Sequence, residues 1–236
     1  MTGQADRVLL CLPHAGGTAG FFRTLPTAVS GSYRMLAVQY PGRQDRHREA
    51  AIGDVRLLAS AIAEQIVDAG IESLDVLGHS FGGLVGFEVV RLLGEQASIN
   101  VGQLTVTHSR PPSAELPDNP LHTLGDDAFI ERIVALGGTD ESVFADPDLR
   151  SFYLPPLRSD YAAVEQYQAP QSASVMCDIT AIGGLRDSLV PAASAERWRR
   201  HTSGSFRIRV FDTDHFGIYQ RPTELAGLIR RKVTAK

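Results

Sequence analysis

Leu74-Asp75-Val76-Leu77-Gly78-His79-Ser80-Phe81-Gly82-Gly83 is the stretch on which the fold turns. A short apolar run feeds a Gly-x-Ser-x-Gly pentad, and a helix-like segment, Leu84 to Leu93, follows. Strand, sharp turn and helix in that order make a nucleophile elbow. The turn is so tight that the serine must adopt a strained backbone conformation. The flanking glycines avoid collisions that any side chain would make with the neighbouring strand and helix. The reward is a serine Oγ lifted clear of the sheet, where a base and a substrate reach it. The pentad alone is a weak signal, so its weight rests on its context and on partners elsewhere in the chain.

Outward from the elbow, strands and helices alternate. Arg7 to Leu12 is an apolar run that ends in Pro13 and a glycine pair, a buried strand entering a loop. Met35 to Gln39 is a second strand, stopped by Tyr40-Pro41-Gly42. Asp54 to Ala69 carries Val55, Leu58, Ile62 and Ile66 at helical spacing, with Asp54 as N-cap. Gln103–Thr107, Val175–Ile182 and Phe206–Phe211 read as further strands. Ala193–His201 and Thr223–Val233 read as helices, the latter with Pro222 at its start. This alternation predicts an α/β fold with a mostly parallel sheet and helices on both faces. The whole chain, 1–236, is expected to form one domain.

Residues 111 to about 170 break the rhythm. They hold eight prolines (111, 112, 117, 120, 147, 155, 156 and 170) and the helical pieces Asp126–Leu136 and Asp148–Tyr167, with no convincing strand. About 60 such residues exceed any ordinary connection. The expectation is an inserted helical lid that gates a site and excludes water.

At 236 residues the chain is long enough for a sizeable core. A net charge of −4 argues against nucleic-acid binding. No apolar run approaches the ~20 residues that cross a bilayer. The start of the chain lacks a basic and apolar leader, so a cytoplasmic protein is expected. Cys11 and Cys177 lie in apolar strands and read as reduced, buried thiols. The histidines show no metal-ligand pairing, so no metal or cofactor is expected.

Acyl transfer needs a nucleophile, a base, an orienting carboxylate and donors for an oxyanion. Ser80 supplies the first. Asp187 follows the strand ending at Ile182, on the turn Gly183-Gly184-Leu185-Arg186-Asp187, at the carboxyl edge where ligands bind. His215 follows the last strand and precedes the last helix, the place for the base in a Ser…Asp…His order. Asp212 and Asp214 compete for the acid role but lie too close to His215 for an easy approach to Nδ1. Pro13-His14-Ala15-Gly16-Gly17 follows the first strand, and the expected oxyanion donors are the backbone N–H groups of Ala15 and Phe81.

With Tyr40-Pro41-Gly42-Arg43, Arg46 and Arg110-Pro111-Pro112, these segments resemble the type II thioesterases, α/β-hydrolases that work beside polyketide synthases and nonribosomal peptide synthetases. The likeness spans nearly the whole chain. It implies a monomeric enzyme that removes stalled or aberrant acyl groups from the phosphopantetheine arm of an acyl or peptidyl carrier protein, met transiently. The route it implies is attack, oxyanion, thiol departure, a Ser80 acyl-enzyme and water. The chain departs from the family at Phe81, where Met is common, at Leu25, where Trp is usual, and at Asp214, where glycine often precedes the histidine. Phe81 is expected to narrow the acyl pocket. The Tyr40–Arg43 loop reads equally as a strand-ending turn with surface arginines and as part of the arm's entrance. Arg197, Arg199, Arg200 and His201 read as a solvated helix face, with carrier docking as the alternative. Product release, general ester hydrolysis and a non-catalytic receptor remain open at this stage.

Overall fold

The computed structural model describes residues 7–29, 31–96, 98–136 and 141–229. Six strands form one sheet: β1 (Val8–Leu12), β2 (Arg34–Ala37), β3 (Ser73–His79), β4 (Asn100–Thr107), β5 (Asp178–Gly184) and β6 (Phe206–Phe211). Their order is β2-β1-β3-β4-β5-β6, and every pairing is parallel. The order reverses beside β1, between β2 and β3. That makes the carboxyl ends of β1 and β3 the switch point of a doubly wound sheet, where a crevice opens. The register lines up these ends: Leu12 stands opposite Gly78, His79 opposite Thr107, and Thr107 opposite Ile182. Whatever follows each strand is thereby brought to one edge.

Seven α-helices complete the described residues: α1 (Leu25–Val29), α2 (Val55–Asp68), α3 (Phe81–Gly94), α4 (Asp126–Leu136), α5 (Ser142–Ala145), α6 (Pro147–Gln166) and α7 (Pro222–Ile229). The expected helix at 193–201 is a 3-10 helix, Ala192–His201. Of the expected final helix, 223–233, residues 230–233 lie outside the described part. β5 begins later than expected, because Val175 makes only an isolated bridge to Thr202 before the chain joins the sheet at Asp178.

Helix α2 shows how local chemistry sets an element. The Asp54 carboxylate accepts from the N–H groups of Arg56 (2.7 Å) and Leu57 (2.9 Å), a cap worth about 1 kcal/mol. Val55, Leu58, Ile62 and Ile66 then turn one stripe into the core. Helices α2 and α3 and the Trp198 helix pack with one face of the sheet, and α1 and α7 with the other. Both faces of the strands are therefore buried, as all-parallel sheets require.

Residues between β4 and β5 form α4, α5 and α6. They carry a small core of their own, with Phe129, Ile133, Phe144, Leu154 and Leu157 buried together. Helix α6 continues unbroken through Pro155 and Pro156.

Candidate active site

The elbow is built as the sequence predicts. Ser80 has φ 53° and ψ −114°, a left-handed backbone that only the surrounding fold can impose on a residue with a Cβ. Its N–H donates to Thr107 O (2.9 Å), and its C=O accepts from Gly83 N–H (2.9 Å). A Cβ on Gly78 would lie 2.2 Å from Gly82 O, and one on Gly82 would lie 2.0 Å from Leu12 O. No side chain fits at either position, so these glycines are steric requirements of the turn. Helix α3 starts at Phe81, three residues earlier than the apolar spacing shows.

The Asp187 side chain is fully buried on the loop after β5. Its Oδ1 accepts from the N–H groups of Leu189 (2.9 Å) and Val190 (3.0 Å). Its Oδ2 lies 2.9 Å from His215 Nδ1 and 2.8 Å from His108 Nδ1. Burial alone would raise this carboxyl, but the His108 and His215 donors outweigh it and hold the group well below the usual carboxylate range. An ionised carboxylate only accepts, so both Nδ1 atoms carry hydrogen. That leaves the Nε2 of neutral His215 as an acceptor. Ligands of one tetrahedral ion with bonds of 2.0–2.1 Å would stand ~3.3 Å apart; the shorter separations here are those of hydrogen bonds.

The rival acids are occupied elsewhere. Asp212 is exposed and pairs with Arg186 at 2.9 Å. Asp214 accepts from Phe216 N–H at 3.1 Å and shapes the turn that carries His215.

Two further histidines pack beside this group. His79 is fully buried, stacks on Phe21 (5.2 Å between centroids, 10° between planes) and lies 5.0 Å from the His215 ring. Its Nδ1 meets Thr107 Oγ1 at 2.9 Å. Burial pushes His79 well below its ordinary value and His14 down to about 3, in both cases helped by His215. Both stay neutral near pH 7, so they do not burden the site with extra charge.

A cavity of about 300 Å³ opens against Ser80. Ala15 and Phe81 line it from the two loops expected to hold the oxyanion, Leu189 and Val190 from the Asp187 loop, and Tyr161 and Val164 from α6. The site residues named from sequence therefore converge on the carboxyl edge of the sheet.

One half of the reading of Tyr40–Arg43 needs correction. Arg43 is not a surface arginine, since it is 4% exposed. Its Nη1 and Nη2 donate to Asp160 of α6 at 2.6 and 2.8 Å. Asp160 also accepts from Gly16 N–H at 2.7 Å. One buried carboxylate thus joins the loop after β1, the loop after β2 and the middle of α6. Burial pushes the Asp160 carboxyl up, against the pull of Arg43 and the Gly16 N–H. Arg110 ties the other end of α6, donating from Nη2 to Val164 O and Tyr167 O, both at 2.6 Å. A cation on the last carbonyls also suits the helix dipole.

Arg197, Arg199 and Arg200 are exposed around a buried Trp198, and Arg199 pairs with Glu196 at 2.8 Å, as a solvated face requires. His201, expected on that face, is instead fully buried, with Nε2 2.9 Å from Ser113 Oγ and Nδ1 2.7 Å from Ala173 O, so it ties the helix end to the core. Cys11 and Cys177 are free and buried, and burial pushes Cys177 up to about 12. No helix among the described residues is long and apolar enough to cross a membrane.

Comparison with known proteins agrees with this geometry. The family model described as the thioesterase domain matches residues 7–233. The chain belongs to the thioesterase family. Thioesterase PikA5 of Streptomyces venezuelae is 41% identical over 209 residues, which cover 88% of this chain and 74% of that protein. Among solved structures, RedJ, a thioesterase of the prodiginine pathway of Streptomyces coelicolor, is 30% identical with a TM-score of 0.85, covering 96% of this chain and 87% of RedJ. BorB, the type II thioesterase of the borrelidin cluster, is 30% identical with a TM-score of 0.82, covering 94% of this chain and 89% of BorB. The thioesterase thus has the α/β-hydrolase fold and stands with the type II thioesterases of polyketide and nonribosomal peptide pathways.

Two residues of the site escaped the sequence reading. His108 follows directly on a strand at the carboxyl edge, which is a positional signal for function. Asp160 is an acid on the buried face of a helix, between Leu157 and Ala163, which signals a buried partner.

Proposed function

We propose that this thioesterase hydrolyses acyl groups from the phosphopantetheine arm of carrier proteins, clearing stalled or aberrant chains through a Ser80 acyl-enzyme. The observation that carries this reading is the Asp187–His215 hydrogen bond at the sheet edge that also presents Ser80 to the cavity. In this reading His215 Nε2 takes the Ser80 proton as Oγ attacks the thioester carbonyl. The new oxyanion is met by the N–H groups of Ala15 and Phe81. The neighbouring amides of Gly16 and Gly17 are already committed, to Asp160 and to His14 O, which supports Ala15 as the donor from its loop. His215 then protonates the leaving thiolate, and a water activated by the same nitrogen releases the acid. Asp187 holds the imidazole in the tautomer this needs and stabilises the imidazolium. Helices α4 to α6 act as the lid, with Phe81, Tyr161 and Val164 bounding the acyl chain.

The test is to trap the intermediate. Acyl-pantetheine thioester is mixed with the enzyme, quenched in acid and digested. Acyl mass on the Ser80 peptide of wild type, absent from Ser80→Ala, is expected. Turnover by Ser80→Ala at the wild-type rate would end the proposal.

A further inference from the structure

His108 has no part in the scheme above, yet the structure builds around it. It is 1% exposed and sits immediately after β4, where its N–H donates to Ile182 O at 2.7 Å. Its backbone is held at φ 51°, a strained region that persists only where the fold over-determines it. Space for its ring comes from Gly184, because a Cβ there would come within 2.6 Å of His108 Cε1. The ring spends its Nδ1 on Asp187 Oδ2, the same oxygen that His215 uses. Its Nε2 is buried with no hydrogen-bond partner among the described residues. A side chain chosen for packing would have no use for a strained backbone, a glycine-made niche and an orphaned nitrogen.

We propose that His108 is a positioning residue of the thioesterase reaction, which pins Asp187 and divides its Oδ2 charge between two imidazoles. This rests on the reading of Ser80, Asp187 and His215 as the catalytic set. Two consequences follow from the geometry. The carboxylate receives four N–H donors, two at each oxygen, so it cannot rotate away from His215. It also backs the His215 imidazolium less strongly than an undivided carboxylate would, because Oδ2 is shared between two donors. Other groups around His215 do not substitute for this. His79 from the end of β3 and His14 from the loop after β1 are both held neutral. Asp214, on the same loop as His215, is engaged with Phe216 N–H, and the Arg186–Asp212 pair is exposed.

The experiment is the rate of covalent labelling by a fluorophosphonate serine probe as a function of pH, with Ser80→Ala as the blank. His108→Phe keeps an aromatic ring, somewhat larger than imidazole, and removes the donor. His108→Asn keeps an N–H near the Nδ1 position and tolerates positive φ. The acid limb of the His108→Phe profile should move to higher pH by on the order of half a unit, and that of His108→Asn should stay with wild type. Coincidence of the His108→Phe limb with wild type, or an equal shift in both variants, would overturn the proposal. Should His108→Phe not fold, assigned nitrogen-15 spectra of labelled wild type decide the matter: a downfield Nδ1 proton on both His108 and His215 is expected, and a His108 without one overturns it. Labelling of wild type without hydrolysis of acyl-carrier substrates would instead sink the assigned substrate, leaving the pH comparison readable.

Discussion

Replacing Asp160 by alanine should destabilise the protein far more than a typical point change. The carboxylate takes three donors, Gly16 N–H and both terminal nitrogens of Arg43, and its side chain and that of Arg43 are 2% and 4% exposed. Its loss strands a buried guanidinium whose Nε has no partner already. Breaking one half of a buried pair costs about 3–5 kcal/mol. The unsatisfied Gly16 amide adds ~1 kcal/mol or more unless water enters. Against a total stability of ~5–15 kcal/mol this is a large fraction. For a chain of this size it lowers Tm by roughly 8–24 °C. Urea and thermal unfolding of Asp160→Leu, Arg43→Met and the double variant would close the cycle. The double variant should recover most of the loss, since an apolar pair of similar volume replaces the ion pair at little cost. Additive single losses, or Asp160→Ala within 1 kcal/mol of wild type, would refute the idea that this carboxylate clamps α6 to the Gly16 loop.

Ser80→Gly should raise stability by about 1 kcal/mol in urea unfolding while abolishing serine-probe labelling, because glycine accepts the φ of 53° without strain; a loss of stability would show that the elbow is not strained. Asp187→Asn should lower turnover by about 10³–10⁴-fold with the fold intact, since the wrong His215 tautomer is favoured; normal turnover would remove Asp187 from the mechanism. Acid should weaken the fold through two histidines. His14 and His79 are held below their ordinary value, so the unfolded chain binds protons that the native state refuses, and stability present above pH ~6.5 declines as pH falls. His14, held at about 3, contributes about 2 kcal/mol of loss between pH 6.5 and 5, and His79 adds to it in the same direction, readable as a falling urea midpoint that flattens in His79→Phe.

Much of this was readable in the residues themselves. The elbow pentad, the apolar run before it and the chain order of Ser80, Asp187 and His215 carry local signals, because each demands a particular residue at a particular strand end. The six strands and their parallel pairing follow from alternation with helices. What stayed hidden depends on contacts across the chain. Asp160 meets Arg43 across 117 positions, and His108 meets Asp187 across 79. Neither pairing has a local spacing to betray it. One of the two readings of the Tyr40–Arg43 loop placed Arg43 on the surface because loop arginines usually are, and only its pairing with Asp160 of α6 shows it buried. The 193–201 segment formed a 3-10 rather than an ordinary helix, a distinction its residue types do not make.

The central claim is carrier-directed thioester hydrolysis at Ser80. The direct measurement is the intact mass of an acetyl- or propionyl-loaded carrier protein after incubation with wild type and with Ser80→Ala. Loss of the acyl mass with wild type alone is the predicted result. An acyl-carrier that persists with wild type, while simple esters are cleaved, would contradict the account and make this member of the family a general esterase.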